Sequence, residues 1–385
     1  MLHDPQIIAA SFVRRLALFY AALFVVIGIQ LPFFPVWLQA KGLDAQMIGF
    51  VLAAPMVVRV FAIPFVTRIA DRRRMLRGVI VAASCAAAAG NLALDFSQGA
   101  MAILIVFSLA SMAFTPIMPL AEAYALRGLA RHRRAYGPVR LWGSAAFIAG
   151  SLGAGWIGDS MAPRNLIWLI VAAAGAATLA AAALAPAREA AGGGAVEPPY
   201  RGFLRTPGFA AATAAAGLIQ ASHAVYYGFS SLDWKTAGLD GTVIGALWGI
   251  GVLAEITLFA VSGRLPAWVT PGALLTLGGA GAVLRWIMMA LGPPNVALPL
   301  VQCLHGLSFG ATHLGAIGFV ARAAPAGMAA TAQGNLAVVL GGTMAASMGL
   351  SGILYGAFGD LAYAAMALMA ATGVLCALLV WRLPR

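Results

Sequence analysis

The segment Pro119–Ser144, PLAEAYALRGLARHRRAYGPVRLWGS, joins two apolar runs through a basic turn. Glu122 lies in the first run and Arg140 in the second, 18 positions apart, with four arginines and one histidine between them. If both runs cross a membrane, they are antiparallel, and the carboxylate and the guanidinium lie at similar depth. Because charge inside a membrane is costly and usually functional, the segment predicts a helical hairpin that contains a buried charge pair.

The composition indicates that apolar runs dominate the whole chain. Of its 385 residues, 62% are hydrophobic and 9% are charged, whereas a soluble domain has about 25% charged residues. Runs of ~20 apolar residues are long enough to cross a ~30 Å hydrocarbon core. The net charge of +12 comes from arginines clustered between these runs, a pattern of membrane topology rather than of nucleic-acid binding. We therefore expect an all-α polytopic membrane protein.

Twelve apolar runs are long enough to form spans. The predicted spans are residues 14–39, 45–68, 77–96, 99–126, 138–159, 163–186, 208–234, 242–264, 270–291, 295–321, 330–356 and 360–382. The longest connection, 187–207, contains Gly192-Gly193-Gly194 and Pro198-Pro199, a composition typical of a flexible linker. It divides the chain into an N-terminal six-helix half, 1–186, and a C-terminal six-helix half, 208–385.

The lysines and arginines predict the orientation of these spans. With the N-terminus inside, 19 of the 24 lie on the cytoplasmic side, three lie outside and two lie in mid-span. Because positive charge concentrates on the cytoplasmic side, we expect both termini and the 187–207 linker to be cytoplasmic.

The two halves also repeat in sequence. Residues 33–69 align without gaps to residues 229–265 at a constant offset of 196. Six spans separate the copies, so both copies have the same orientation, as in transporters built from parallel repeats. In such folds the substrate site lies near the midplane between the halves. The alignment pairs mid-span Arg59 with mid-span Glu255.

Charged side chains inside the predicted spans are candidates for function. They are Arg59, Glu122, Arg140, Glu255 and Arg285. Each costs ~2.5–3.5 kcal/mol at a helix centre, so a packing accident is a poor explanation. One interpretation is substrate recognition or proton coupling, and the other is a set of ion pairs that lock helices together.

Histidines and aromatic residues in the spans extend the candidate set. His223, His305 and His313 can exchange protons near physiological pH, or they can serve as neutral hydrogen-bonding groups. The aromatic residues cluster in equivalent regions of spans one and seven: Phe33, Phe34, Trp37, Tyr226, Tyr227 and Phe229. They predict an aromatic wall for a planar substrate or, alternatively, helix packing or an interface belt.

A charged turn follows the second span. Residues 67–74 read TRIADRRR, and the shorter counterpart in the second half ends at Arg264. Asp71, Arg72 and Arg264 are suited to hold neighbouring helices through hydrogen bonds and helix-end dipoles. We expect them to act in gating rather than in ligand binding.

Several motifs carry a resemblance to a known family. The ADRRR turn resembles the signature of the major facilitator superfamily between helices two and three. A second group of motifs resembles the 3-phenylpropionate (hydrocinnamate) permease-like group, which is related to the lactose permease branch. These motifs are YGPVRLWGS (136–144), HAVYYGFS (223–230), GVLAEITLFA (251–260), Arg285-Trp286 and VQCLHGLSFGATH (301–313).

The resemblance implies roles for individual residues. Glu122 and Arg140 match the substrate-binding Glu/Arg pair of the lactose permease pattern, and Arg285 and His305 match its ninth-helix Arg and tenth-helix His. Glu255 is similar to the eighth-helix acid if a short gap is allowed. The proton-carrying acid three residues after the His is replaced by Ser308, so the proton route must differ, with Glu255, His305 or Glu122 as alternatives.

We therefore expect proton-coupled import of a small organic solute by alternating access in the bacterial inner membrane. The chain has no GxxxxGK[ST] loop, which argues against ATP-driven transport, and we expect neither enzymatic activity nor a metal or cofactor. The favoured substrate is an aromatic carboxylate such as 3-phenylpropionate. A sugar or nucleoside symporter and a drug or metabolite efflux antiporter remain alternatives. The expected partners are substrate, protons and lipids, with a monomeric protein.

Overall fold

A computed structural model describes residues 5–186, 206–266, 268–324 and 329–382, and all regular structure in these ranges is helical. Of the predicted linker, residues 187–205 lie outside the described ranges. The helices of the predicted first half are α1 Pro5–Ala40, α2 Ala45–Arg73, α3 Leu76–Phe96, α4 Ala100–Phe114, α5 Ile117–Arg131, α6 Gly137–Gly158 and α7 Ile167–Ala182.

The second half of the chain contributes eight further helices and one π-helical segment. The helices are α8 Pro207–Ala221, α9 Ala224–Thr236, α10 Gly241–Val261, α11 Pro271–Ala290, α12 Leu298–Cys303, α13 Thr312–Ala323, α14 Ala329–Phe358 and α15 Ala362–Arg382. The π-helix, Gly306–Ala311, lies between α12 and α13.

These helices form twelve spans in the described part of the chain. Nine segments there are long and apolar enough to cross a membrane, and one of them, Thr331–Val380, contains both α14 and α15. The glycine-rich α6, which carries Arg140, is a further span of 22 residues. The remaining span is α8 with α9, which the hydropathy criterion omits because neither piece reaches 18 residues. The predicted all-α fold of two six-helix halves is confirmed.

Three spans are interrupted, and the interruptions matter for the site. Span four breaks at Pro116, which lacks an amide donor, between α4 and α5. Span seven breaks at Ser222 and His223, and span ten contains the π-helix. Within a membrane, backbone groups freed by a break need protein partners. At the seventh span the Ser222 hydroxyl donates to the Ile219 carbonyl over 2.6 Å.

The chain forms two compact units, each with its own packing. Unit 1 comprises residues 1–43, 57–192 and 234–249, and unit 2 comprises 44–56, 193–233 and 250–385. The core of unit 1 packs α1, α3, α5 and α7 around Leu16, Phe19 and Ile80. A core cluster of unit 2 packs α8, α11, α13, α14 and α15 around Leu275 and Ala216.

Each unit thus includes a short segment from the other half of the sequence, 234–249 in unit 1 and 44–56 in unit 2. Close backbone contacts hold the helix that begins in each segment. In unit 1, a Cβ atom added at Gly245 of α10 would lie 2.3 Å from the Ser151 carbonyl oxygen of α6. In unit 2, a Cβ atom at Gly49 of α2 would lie 2.8 Å from the Gly352 Cα atom of α14. Any side chain there would force the helices apart. Gly49 and Gly245 are equivalent at the offset of 196.

Candidate functional site

A cluster of buried polar side chains in unit 2 surrounds Arg285 of α11, whose side chain is fully buried. Its Nη2 donates to Gln302 Oε1 over 2.6 Å. Its Nη1 faces His305 Nδ1 at 2.9 Å and Ser308 Oγ at 3.3 Å. All three partners are neutral polar groups on the tenth span. Span ten therefore supplies three of the groups that hold the guanidinium.

Aromatic rings enclose the same guanidinium. Its Cζ atom lies 4.3 Å from the centre of the Tyr226 ring and 4.8 Å from that of Trp286. Trp286 is itself anchored, because its Nε1 donates to Ser222 Oγ over 2.8 Å. Cation–π contacts of this kind favour a desolvated cation. The break after α8 thus supplies the hydroxyl that positions one wall of the cluster.

His223 has a tautomer that its neighbours determine. Nδ1 lies 3.2 Å from the Ile219 carbonyl and 3.1 Å from the Gln220 carbonyl, and carbonyl oxygens only accept hydrogen bonds. We therefore assign the hydrogen to Nδ1. Nε2 then accepts from Ser308 Oγ at 3.1 Å. Ser308 receives a hydrogen bond from Arg285 and donates one to His223.

The neutral His305 ring has the opposite tautomer, with its hydrogen on Nε2. Because Arg285 is always a donor, His305 Nδ1 accepts, and the neutral ring carries its hydrogen on Nε2. That nitrogen faces Glu255 Oε2 at 3.8 Å. Hydrogen-bond distances therefore link His305, Arg285, Ser308 and His223, and Glu255 faces the His305 end of this series at ion-pair distance. We call these five residues the Arg285 network.

The structure brings most of the predicted coupling residues together and adds two that were not predicted. Gln302 and Ser308 bind Arg285. In the sequence, Ser308 indicated only that the proton-carrying acid of the lactose permease pattern is absent. A spacing of three residues places Gln302, His305 and Ser308 near one face of the span, and this was the available signal. His313 lies outside the network and contacts the rings of Phe259 and Phe309.

Arg140 in unit 1 has different surroundings. Its Cζ lies 4.1 Å from the centre of the Phe24 ring and 5.8 Å from that of Tyr20. Among the described residues, its contacts are with rings and not with the Glu122 carboxylate, so the predicted buried charge pair is wrong as an ion pair. The physical reason is that the guanidinium lies against two rings of α1, which sequence spacing did not locate. Both residues belong to unit 1, and their roles stay predictions.

The aromatic predictions divide into packing and site residues. Phe34 is buried between Trp37 and Phe107, with ring centres 5.4 and 4.4 Å away, which favours the packing alternative. Tyr226 is also buried, but it covers Arg285. Tyr227 is half-buried and stacks on His223 at 5.6 Å.

The structure places Arg59, Asp71 and Arg72 on α2 and Arg264 in the 3-10 turn that follows α10. Arg59 is half-buried in the unit 1 part of α2, and Glu255 lies in unit 2. Asp71 and Arg72 lie in the last turn of α2. The side chain of Asp71 is outside the described set, Arg72 is exposed, and Arg264 is exposed at the end of the 3-10 turn Ser262–Arg264. Their gating roles stay predictions.

Comparison with known proteins identifies the family. The model of the MFS_1-like family matches residues 13–364. This chain belongs to that family. It is a multi-pass membrane transporter of the major facilitator type, as the motifs predicted. It is 31% identical over 373 residues, 93% of this chain and 95% of the relative, to the "Probable 3-phenylpropionic acid transporter" of Escherichia coli (strain K12).

Other similarities of this MFS_1-like protein are more distant. It is 27% identical to the maltose permease of Geobacillus stearothermophilus over 82% of this chain and 80% of that protein. Its fold is similar to the nucleoside transporter NupG (D323A mutant), with a TM-score of 0.85 at 16% identity over 96% and 100% of the chains. It is also similar to a bacterial homologue of the lysosomal transporter Spinster, with a TM-score of 0.72 at 12% identity over 97% of each chain. These structural similarities establish the fold alone.

Proposed function

We propose that this protein imports a small aromatic carboxylate, such as 3-phenylpropionate, together with protons across the bacterial inner membrane by alternating access. The observation that carries the proposal is the path from Glu255 through His305 to the buried Arg285, which links a carboxylate to a cation. The name of the E. coli relative, a probable 3-phenylpropionic acid transporter, supports the choice of substrate. The concentration of arginines on the predicted inner side supports cytoplasmic termini.

The Arg285 network provides the proton-coupling element of the proposal. With Glu255 ionised, its negative charge offsets the positive charge of Arg285 through His305. Protonation of Glu255 removes that offset and leaves the network one unit more positive. An anionic substrate then binds more favourably in the field of the network, and by linkage a bound anion favours the proton. Proton and carboxylate thereby move together.

Arg140 provides the carboxylate-recognition element. Stacking on Phe24 uses the face of the guanidinium, and its N–H edge remains suited to a bidentate bond with a carboxylate. Phe24 and Tyr20 supply aromatic surface beside it. Glu122 lies in the same unit, and it remains a candidate for substrate binding or gating at this site. An aromatic acid offers both groups that these side chains recognise.

The test is uptake into energised, right-side-out membrane vesicles. We expect accumulation of labelled 3-phenylpropionate that a protonophore abolishes. Maltose and uridine are the comparison substrates, because the 27% identity to a maltose permease favours sugar symport as the second candidate. Accumulation of maltose or uridine in place of 3-phenylpropionate would contradict the substrate proposal. Accumulation that survives the protonophore would contradict proton coupling, and export of preloaded substrate on energisation would indicate an antiporter.

A further inference from the structure

A carboxylate at the end of α6 caps a helix from the other half of the chain. Asp159 Oδ1 accepts from the Gly241 amide over 2.5 Å. Its Oδ2 accepts from the Thr242 amide over 3.1 Å and from the Thr242 hydroxyl over 2.9 Å. Gly241 and Thr242 are the first residues of α10. Helix N-termini have unsatisfied N–H groups and a partial positive charge, so Asp159 binds α10 where a carboxylate is most favourable.

The carboxylate is charged in this arrangement. Partial burial alone would raise the pKa of Asp159, but the amides of Gly241 and Thr242, the Thr242 hydroxyl and the ammonium of Lys235 hold that pKa below its ordinary value. Lys235, at the end of α9, is the charged group that faces the carboxylate from a neighbouring helix. All of these groups belong to unit 1. The interaction is therefore present at neutral pH.

The contact continues inward along both helices. A Cβ atom at Gly155 would lie 2.0 Å from the Gly241 carbonyl oxygen, so the two backbones are in direct contact. One turn further, the buried hydroxyl of Ser151 donates to the Gly245 carbonyl over 3.1 Å. Small residues permit this close approach of the two helices, and Asp159 lies at the exposed end of the contact. The carboxylate is thus the charged end of a continuous helix–helix contact.

The equivalent helix pairs of the two halves differ in how the helix N-terminus is capped. The sequence GWIGD (155–159) recurs as GAFGD (356–360), which makes Asp360 the counterpart of Asp159. The counterpart of α10 is α2, whose N-terminus is capped by its own Asp44, with Oδ1 accepting from the Met47 amide over 2.8 Å. Asp360 instead interacts with the side chain of Asp233. Among the residues that the structure describes, a carboxylate from another helix therefore caps α10, and none caps α2.

We propose that Asp159 is a latch that holds α6 and α10 together and biases the transporter against opening to the outside. The proposal rests on the alternating access proposed above and on the topology predicted from the basic residues, which places both helix ends outside. Opening to that side separates these ends and breaks the three hydrogen bonds. Because the capping carboxylate must be ionised, the latch holds above its pKa and weakens as the external pH falls through it.

The test measures opening directly and does not require a known substrate. Ile148 lies inside the contact, where it faces Gly249, and Ile148→Cys reports opening through its reaction with a membrane-impermeant maleimide added outside. The background carries serine at Cys85, Cys303 and Cys376. We expect Asp159→Asn to raise the labelling rate about fivefold, because a charge-assisted cap is lost. Thr242→Val removes one donor, and we expect about a twofold rise.

The matched control is Asp44→Asn, which removes the same charge on the same predicted side but breaks only a cap within its own helix. We expect its labelling rate to equal that of the parent. Because protonation of the thiol slows the maleimide reaction in every variant, the parent is compared with Asp159→Asn at each external pH, and lowering that pH should raise the ratio of the parent rate to the Asp159→Asn rate. An unchanged rate in Asp159→Asn, or an equal rise in Asp44→Asn, would overturn the latch. If Asp159→Asn fails to reach the membrane, the labelling rate of Thr242→Val alone tests the latch. The labelling assay needs no substrate, so it remains valid even if the substrate proposal is wrong.

Discussion

The two guanidinium groups at Arg285 and Arg140 are held in contrasting ways. Arg285 is fully buried and donates to Gln302 and Ser308 while it faces His305. Arg140 is half-buried, and its contacts are ring faces. A cation within a hydrogen-bond network responds to the protonation of its neighbours, whereas a cation on ring faces keeps its N–H edge for a ligand. Under the proposed function, coupling and recognition are therefore assigned to separate units.

The largest expected effect is at Arg285. Arg285→Gln leaves three buried polar partners without their donor and removes the charge that balances Glu255. Breaking a buried charged interaction costs about 3–5 kcal/mol, so we expect substrate-driven uptake to fall by more than about 100-fold. Arg285→Lys keeps the charge but lacks the fork geometry, and we expect a loss of about tenfold or more.

Initial uptake rates in vesicles, normalised to protein in the membrane, measure this effect. The matched control is Arg322→Gln, which removes an exposed arginine at the end of α13 in the same unit and should keep nearly full activity. Thermal unfolding in detergent separates loss of function from loss of fold. Full uptake by Arg285→Gln would refute the role assigned to the network.

The next effect separates coupling from transport at Glu255. Glu255→Gln preserves shape but cannot lose a proton, so the charge near Arg285 no longer changes with pH. We expect accumulation against a gradient to disappear while exchange of internal for external substrate continues within about threefold of the parent rate. The exchange rate should also lose its pH dependence. Accumulation that persists in Glu255→Gln would assign coupling to another group, with Glu122 as the next candidate.

A smaller and different effect is expected at Arg140. Arg140→Ala removes the proposed carboxylate contact but not the proton path, so affinity should fall about tenfold to 100-fold while coupling is kept. Arg140→Lys should recover part of the substrate affinity because it keeps the positive charge. Recovery should be incomplete because an ammonium cannot form the bidentate bond. Binding measured by scintillation proximity checks both variants. Unchanged affinity in Arg140→Ala would remove Arg140 from the site and transfer recognition to Arg59 or Arg285.

The sequence was sufficient for the fold but only partly for the site. Spans follow from long apolar runs, so α10 was expected at 242–264 and begins at Gly241. The first helix begins at Pro5, earlier than the predicted span, which begins at residue 14. The apolar run extends only as far back as Arg14, but helical hydrogen bonding continues toward the N-terminus. The break at His223 and the π-helix depend on contacts between spans, which periodicity does not encode.

The same limit applies to the charged residues. Their positions were visible because charge is rare in apolar runs, but their partners were not. Equal depth in a helical hairpin suggested that Glu122 and Arg140 pair, yet the direction of each side chain depends on rotamers and on rings from α1. At Arg285 the sequence indicated His305 through resemblance. The role of Ser308 depends on the position of its hydroxyl between the Arg285 guanidinium and the His223 imidazole, which the sequence does not show.

The smallest expected effect tests that hydroxyl. Ser308→Ala removes the group that accepts from Arg285 and donates to His223, so it disconnects His223 from Arg285 without removing charge. A neutral hydrogen bond is worth about 1 kcal/mol net, and we expect uptake to fall about threefold to tenfold with a changed pH profile. The matched control is Ser347→Ala, which removes a buried hydroxyl that donates to the Ala221 carbonyl over 2.8 Å. Ser347→Ala should lower thermal stability similarly but leave the pH profile in place. If both variants shift the profile equally, or neither does, His223 is a packing residue, and the network ends at Arg285.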